Sequence, residues 1–172
     1  LRCDGSSKFL DGSKYGYFPS ASVGWIFSEE PFINKYVKGW LNHAKLRVSY
    51  GVLGNNSGVG RYEQQETLTT NNYMIDGKIL KGYVNKKMVN RDLSWEETSV
   101  TNIGLDMKFF NNRLSVELDY YDRLTSGMIR PSDMSVHLTG AYSAPRKNIG
   151  ELRNKGVEAN IVWRGRVNEF NY

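Results

Sequence analysis

The sequence has very little cysteine and histidine, and this scarcity excludes several kinds of site. Cys3 is the only cysteine in 172 residues, which excludes an internal disulfide and a cysteine-based zinc site. A free cysteine is typically small and buried or half-buried, and we expect this of Cys3. His43 falls in a short connection and His137 in a long loop, and neither has a partner for catalysis or metal binding. The sequence therefore predicts no metal site and no cofactor.

Long apolar runs and concentrated charge are also missing. No apolar run approaches twenty residues, so a transmembrane helix is excluded. The net charge of +5 comes from 23 basic and 18 acidic residues. The basic residues are spread along the chain, whereas a nucleic-acid footprint gathers on one face or stripe. We therefore expect no nucleic-acid partner.

Paired carboxylates of the kind that glycosidases use are not found either. Glu29 and Glu30 are adjacent, as are Glu96 and Glu97. In a strand, adjacent side chains point to opposite faces, so neither pair forms such a site by itself. With no catalytic arrangement in the sequence, we do not expect an enzyme.

What the sequence has in abundance is alternation of apolar and polar residues. Residues 103–109 place Ile103, Leu105, Met107 and Phe109 on one face, and residues 114–120 repeat the pattern. This period of two predicts two strands that are apolar on one side and polar on the other. The two-residue turn Asn111-Asn112 joins them, because asparagine tolerates positive φ. The apolar face meets either a protein core or lipid.

Further one-sided strands are predicted at 17–27, 44–54 and 155–165, with partial strands at 1–9 and 167–172. This gives about seven strands, mostly antiparallel neighbours. Short and long connections alternate along the chain. A short helical stretch at 29–44 is followed by a long polar loop at 55–92, and the two-residue turn at 111–112 is followed by a long loop at about 131–147. Short turns on one rim and long loops on the other are typical of outer-membrane barrels. The clean alternating runs cover only seven residues, whereas a tilted membrane strand needs ~9 to 11.

Aromatic residues are predicted to form two girdles, as barrels have at both membrane interfaces. Preference of aromatics for strands and sandwich cores is the alternative explanation. The girdle at the short turns comprises Trp25, Phe27, Trp40, Phe109, Phe110 and Trp163, and the girdle at the long loops comprises Tyr17, Phe18, Tyr50, Tyr120 and Tyr121.

Five stretches of the chain resemble a known family. They read RCDGSSKF, GYFPSASVGWIFSEEPF, AKLRVSYGVLGNN, DLSWEETSVTNIGLDMKFFNNRLSVELDYYDR and NIGELRNKGVEANIVWRGRVNEFNY. In this order they are similar to the later barrel strands of SusC/RagA-type TonB-dependent outer-membrane transporters of Bacteroidota. The chain starts at LRCDGSSKF without Met or a signal peptide. We therefore expect a fragment of a longer protein, with the signal sequence, plug, TonB box and most strands elsewhere.

The resemblance implies an all-β fold in which residues 1–172 form part of an antiparallel, up-and-down transmembrane β-barrel. Such transporters have about 22 strands around a plugged lumen, so about seven strands cannot close the barrel. The family also implies energised import of glycans or peptides across the cell outer membrane. Its implied partners are a SusD-like lipoprotein, the TonB complex reached through the missing N-terminal regions, and outer-membrane lipid.

The apolar/polar alternation of the strands, combined with the barrel that the resemblance implies, indicates candidate site residues. The charged residues of the polar face are expected to face the lumen: Arg47, Asp106, Lys108, Glu117, Asp119, Arg123, Glu158 and Arg164. Loop tyrosines that are candidates for stacking on substrate, or for stabilising the loops, are Tyr62, Tyr73, Tyr83 and Tyr142. The alternative to a transporter is a soluble β-sandwich binding module for carbohydrate or protein, whose two sheets bury their apolar faces against each other.

Overall fold

The computed structural model describes residues 1–37, 39–85, 87–135, 137, 144–167 and 170–171, with only the backbone given for 166–167 and 170–171. A 3-10 helix at Phe27–Glu29 and a helix α1 at Pro31–Val37 are short, and strands make up most of these residues. The strands are β1 (Arg2–Gly5), β2 (Tyr15–Phe18), β3 (Ser20–Trp25), β4 (Leu41–Asn55), β5 (Leu68–Ile75), β6 (Lys78–Asn85), β7 (Glu96–Phe109), β8 (Leu114–Ser126), β9 (Ile129–Pro131), β10 (Arg146–Asn148), β11 (Leu152–Trp163), β12 (Arg166–Val167) and β13 (Phe170–Asn171).

The main element is a five-stranded sheet in the order β11-β8-β7-β4-β3. Neighbours in the sheet are therefore successive long strands of the chain, as in an up-and-down meander. Strands β4, β7, β8 and β11 contain 15, 14, 13 and 12 residues. These lengths exceed both the clean alternating runs and the ~9 to 11 residues that a membrane strand needs.

The predicted strand 17–27 is wrong in one respect, because Pro19 divides it. Proline has no N–H to give to a sheet ladder, although the Pro19 carbonyl still accepts a hydrogen bond from the Val52 amide over 2.9 Å. The residues before it form β2, which pairs with β1 from Arg2↔Phe18 to Gly5↔Tyr15. The residues after it form β3, which pairs with β4 from Ser20↔Gly51 to Trp25↔Leu46. A single predicted strand thus contributes to two separate sheets.

The long connection 55–92 is not a structureless loop, which corrects the prediction. It contains the hairpin of β5 and β6, paired from Leu68↔Asn85 to Ile75↔Lys78. Asp76 and Gly77 form its two-residue turn with φ of 48° and 71°. An Asp-Gly pair between two strand-forming runs is among the strongest hairpin signals, since both residues tolerate positive φ. This hairpin is one reason why the described residues contain thirteen strands rather than about seven.

The turn between β7 and β8 confirms the predicted hairpin but is longer than two residues. It spans 110–113, and Phe110, Asn111 and Asn112 all have positive φ, at 53°, 55° and 65°. The Arg113 amide donates to the Phe110 carbonyl over 3.2 Å, which closes the turn. The Asn111 amide donates to Asn42 Oδ1 over 2.8 Å, so the start of β4 holds the turn in place.

Two compact units make up the fold. The first unit comprises Leu1–Phe18, Gly54–Glu97 and Thr125–Glu151, and its small core contains Phe9, Val59, Leu93 and Ile129. Trp95 packs against this core, with its ring centroid 5.2 Å from that of Phe9. The second unit comprises Pro19–Leu53, Thr98–Leu124 and Leu152–Tyr172 and holds most of the five-stranded sheet.

The aromatic residues at the short-turn ends of the strands do cluster. Trp40 stacks on Phe109 with ring centroids 5.8 Å apart, and contacts continue through Phe110 to Trp163. The second predicted girdle is wrong at two positions. Phe18 is buried at 3% exposure, and its ring contacts Trp95. Tyr121 falls on the polar face of β8.

Candidate functional site

A three-residue ionic network lies on the polar face of the five-stranded sheet. Arg47 of β4 donates from Nε and Nη2 to the two carboxylate oxygens of Asp106 on β7, each over 2.7 Å. The same Nη2 lies 3.1 Å from Oδ1 of Asp119 on β8. Two parallel bonds from a guanidinium to a carboxylate are the strong form of this interaction. The network therefore connects three neighbouring strands and brings together three of the predicted lumen-facing residues.

Gly104 explains how the guanidinium can lie across the sheet. This residue is on β7 and on the same face, two positions before Asp106. A Cβ added to it would lie 2.5 Å from Asp119 Oδ1 and 2.6 Å from Arg47 Cζ. The absence of a side chain thus gives the ionic network its space.

An open cleft of about 610 Å³ adjoins the network. Opposite charges balance in its lining, with Arg47 and Arg123 against Asp119 and Glu158. Four of the eight predicted lumen-facing residues therefore line one concave surface. Its complete lining is Arg47, Val100, Asn102, Asp119, Tyr121, Arg123, Asn154 and Glu158.

Sequence reasoning did not select three polar residues of this cleft: Asn102, Tyr121 and Asn154. Alternation along the strands was the available signal. Each of the three lies two or four residues from a predicted lumen-facing residue of the same strand, namely Asp106, Asp119 and Glu158, and so shares its face. Tyr121 lies over Gly156 of the neighbouring strand β11, where an added Cβ would lie 2.5 Å from the tyrosine Oη. Among the described residues, none forms a hydrogen bond with the buried Oδ1 of Asn102.

The remaining predicted lumen-facing residues lie apart from the cleft. Glu117 accepts a hydrogen bond from Asn160 Nδ2 over 3.3 Å, which joins β8 to β11. Lys108 is exposed near the end of β7. Arg164 is exposed but lies beyond β11, which ends at Trp163, so it is not part of the strand as predicted.

The loop tyrosines are dispersed. Tyr62 is exposed and lines a shallow hollow with Lys8 and Arg61. Tyr73 of β5 pairs with Leu80, and Tyr83 of β6 pairs with Thr70. Because Thr70 and Tyr73 are three residues apart, the two hairpin tyrosines lie on opposite faces. Tyr142 lies outside the described residues.

Two expectations about isolated residues are wrong. Cys3 is exposed, because it lies on the two-stranded sheet of β1 and β2 rather than in a core. His43 lies in β4 and not in a connection. Within the described part of the chain, no group of His, Cys, Asp or Glu could hold a metal ion, and no helix is long and apolar enough to cross a membrane.

The opposite, apolar face of the sheet is exposed. On the outer strand β11, Val157 and Ile161 are 74% and 68% exposed, and on the inner strand β7 Ile103 is 42% exposed. Ala44 is the one described residue of this sheet that is both apolar and buried. A polar face with a cleft and an uncovered apolar face define a segment of barrel wall.

The match to known proteins agrees with this architecture. The family description "TonB dependent receptor-like, beta-barrel" matches residues 1–172. The chain belongs to this family of TonB-dependent receptor β-barrels, which confirms the antiparallel barrel fold predicted from the sequence.

Curated relatives and solved structures give the same result. TonB-dependent receptor P3 of Formosa agariphila is 33% identical over 98% of this chain, and SusC of Bacteroides thetaiotaomicron is 31% identical over 94%. The RagAB peptide importer in its closed-closed state gives a TM-score of 0.79 at 32% identity over 97% of this chain, and in its open-open state 0.77 at 33% over 95%. The chain spans 16% of each of these two curated relatives and 17–18% of the RagAB chains.

Proposed function

We propose that residues 1–172 form part of the barrel wall of an outer-membrane transporter that imports glycans or peptides. The polar face lines the plugged lumen, and the apolar face contacts membrane lipid. The long connections lie outside the cell and the short turns in the periplasm. We assign no chemical step to the segment, and the role of Arg47, paired with Asp106 and Asp119 across strands, is to join the wall.

The observation that carries this proposal is the exposed apolar face of the five-stranded sheet. Large side chains such as Val23 and Val157 are more than 70% exposed there. In water such a surface would be an aggregation hazard. In lipid it removes apolar area from water while the polar face stays hydrated or paired, as in membrane barrels.

The soluble β-sandwich for carbohydrate or protein is the less favoured candidate. A sandwich buries the inner faces of two sheets in a common core. Here the alternating apolar residues of β7, β8 and β11 include Ile103, Leu118 and Ile161, all of which are exposed. The family match further supports the barrel, since the relatives are named as TonB-dependent receptors.

The partners in the proposal come from the same relatives. RagAB is described as a peptide importer, and SusC is named as a TonB-dependent receptor. We propose that the full-length protein works with a SusD-like lipoprotein and, through regions outside this chain, with the TonB complex.

Fractionation of the full-length protein tests the proposal. We expect it in the outer membrane, with faster migration on unheated gels than on heated gels, because a closed barrel resists detergent. Recovery of the protein in the soluble fraction with no heat-dependent shift would contradict the barrel and favour the sandwich.

Uptake measurements distinguish the two substrate classes. Identity of 32–33% to the RagAB peptide importer does not by itself assign peptides to this chain. A deletion strain should lose uptake of either fluorescent oligopeptides or fluorescent oligosaccharides, and the gene should restore it. Unchanged uptake of both would contradict import of glycans or peptides.

A further inference from the structure

An ionic cluster of Asp122 on β8 with Arg153 and Lys155 on β11 lies on the apolar face of the sheet. Arg153 donates to Asp122 from Nε over 2.9 Å and from Nη2 over 2.6 Å. Lys155 Nζ lies 3.6 Å from the same carboxylate. By alternation along β8, Asp122 is on the face of Leu118 and Tyr120. Likewise, Arg153 and Lys155 are on the face of Val157 and Ile161 of β11.

We propose that Arg153 and Lys155 bind the phosphate of an outer-leaflet membrane lipid. This inference rests on the proposed function, because it needs the apolar face to meet lipid. It adds a site for a specific chemical group, an anionic lipid phosphate, on the outer surface of the barrel.

Charge is the first argument for this site. The cluster contains two cations and one carboxylate, so it has a net charge of +1. The Asp122 side chain is only 18% exposed, whereas those of Arg153 and Lys155 are 55% and 48% exposed. The carboxylate thus lies beneath two cations that face outward. Basic side chains at a membrane surface attract anionic lipid headgroups.

Position is the second argument. Arg153 is ten residues from Trp163, which belongs to the aromatic cluster at the short-turn end. Ten residues extend about 33 Å along a strand, or about 25 Å across a membrane at a tilt of ~40°. The apolar band of a membrane barrel is ~25 Å tall. The cluster therefore lies one band height from the aromatic cluster, at the level of the lipid headgroups.

Lipid binding to the purified full-length protein tests this site. The probes are phosphatidic acid and a diacylglycerol with the same acyl chains, which differ only in the phosphate, and native mass spectrometry counts bound lipid. Wild type should prefer phosphatidic acid. The double variant Arg153→Gln/Lys155→Gln should bind it roughly tenfold more weakly and lose the preference. The control Lys78→Gln/Lys81→Gln removes the same charge from the exposed β5–β6 hairpin and should keep the preference.

Two further variants separate a lipid site from a simple brace between strands. Asp122→Asn keeps both cations and removes their counter-charge, so phosphatidic acid binding should be retained or strengthened. If Asp122→Asn weakens binding as much as the double variant, the cluster is structural and the proposal is wrong. Lys155→Gln alone should weaken binding several-fold and gives the answer if the double variant fails to assemble.

Failure of this site is distinguishable from failure of the proposed function. Each variant is first checked for outer-membrane location and heat-dependent migration. If all variants assemble and the double variant keeps its preference for phosphatidic acid, the lipid-phosphate site is wrong and the barrel stands. If wild type itself is soluble, the proposed function is wrong.

Discussion

At the scale of single residues, the polar face depends on a match between one arginine and two aspartates. Arg47 lies 59 residues from Asp106 and 72 from Asp119 in the chain. The sequence predicted that all three share a polar face, because alternation determines the side of a strand. It did not predict their contact, since the pairing of distant strands depends on register, which local pattern does not contain.

Replacing Gly104 by alanine should weaken this network. The new Cβ would meet atoms at the ends of the Arg47 and Asp119 side chains, so these side chains move and the strand does not. We expect a loss of about 1 kcal/mol, comparable with one hydrogen bond, measured as a lower unfolding temperature of the full-length protein in detergent. Gly51→Ala is the control, since its Cβ would meet Ser20 at an ordinary 3.5 Å. Equal effects of the two variants would argue against the network.

Removing the Arg47 cation should lower the stability of the protein more than removing the Asp119 anion. Arg47→Gln leaves Asp106 and Asp119 facing each other without their shared partner, whereas Asp119→Asn keeps the two-bond pair with Asp106. Because these side chains are 26–38% exposed, solvent screening reduces the cost to about 1 to 3 kcal/mol. Thermal unfolding in detergent would measure both variants. An Asp119→Asn variant less stable than Arg47→Gln would contradict this assignment of roles.

At the scale of elements, the sequence predicted the long strands well and their interruptions poorly. Strands β4, β7, β8 and β11 have sustained alternation, and each was found. The break at Pro19 and the hairpin turn at Asp76-Gly77 have clear local signals in the sequence, which alternation alone does not reveal. The positive φ of Phe110 has no such signal, because aromatic residues rarely adopt this conformation.

Loosening the turn of the β5–β6 hairpin should leave assembly of the barrel unchanged. Gly77 has a φ of 71°, so Gly77→Val places a β-branched residue in a conformation that it rarely adopts. We expect trypsin to cleave at Lys78 or Lys81 roughly tenfold faster, with no change in heat-dependent migration. Thr70→Val, in the same hairpin, is the control. If Gly77→Val abolishes barrel assembly, the hairpin is needed for the barrel wall and this prediction is wrong.

At the scale of the whole molecule, the alternation of long and short connections predicts which side of the membrane each faces. Single cysteines would test this in full-length protein with Cys3→Ser, because Cys3 is exposed. Lys78→Cys and Arg113→Cys avoid the positions with positive φ. In intact cells we expect an impermeant maleimide to label Lys78→Cys and not Arg113→Cys. The reverse pattern would show the opposite orientation.

The central claim is that the apolar face of the sheet meets lipid, and substitutions at Leu118 test it most directly. Leu118→Arg should prevent assembly, because a charge on the lipid face costs ~2 to 4 kcal/mol near the midplane. Glu117→Arg, on the polar face, should assemble. Both a lipid face and a protein core reject arginine at position 118, so the deciding variant is Leu118→Trp.

Heat-dependent migration of the full-length Leu118→Trp protein in outer membranes is the measurement. A lipid-facing side chain has no fixed neighbour to clash with, so this variant should assemble like wild type, while Leu118→Arg fails. A close-packed core would lose ~1 to 3 kcal/mol from the larger ring. Failure of Leu118→Trp together with Leu118→Arg would contradict a lipid-facing sheet and favour the soluble sandwich.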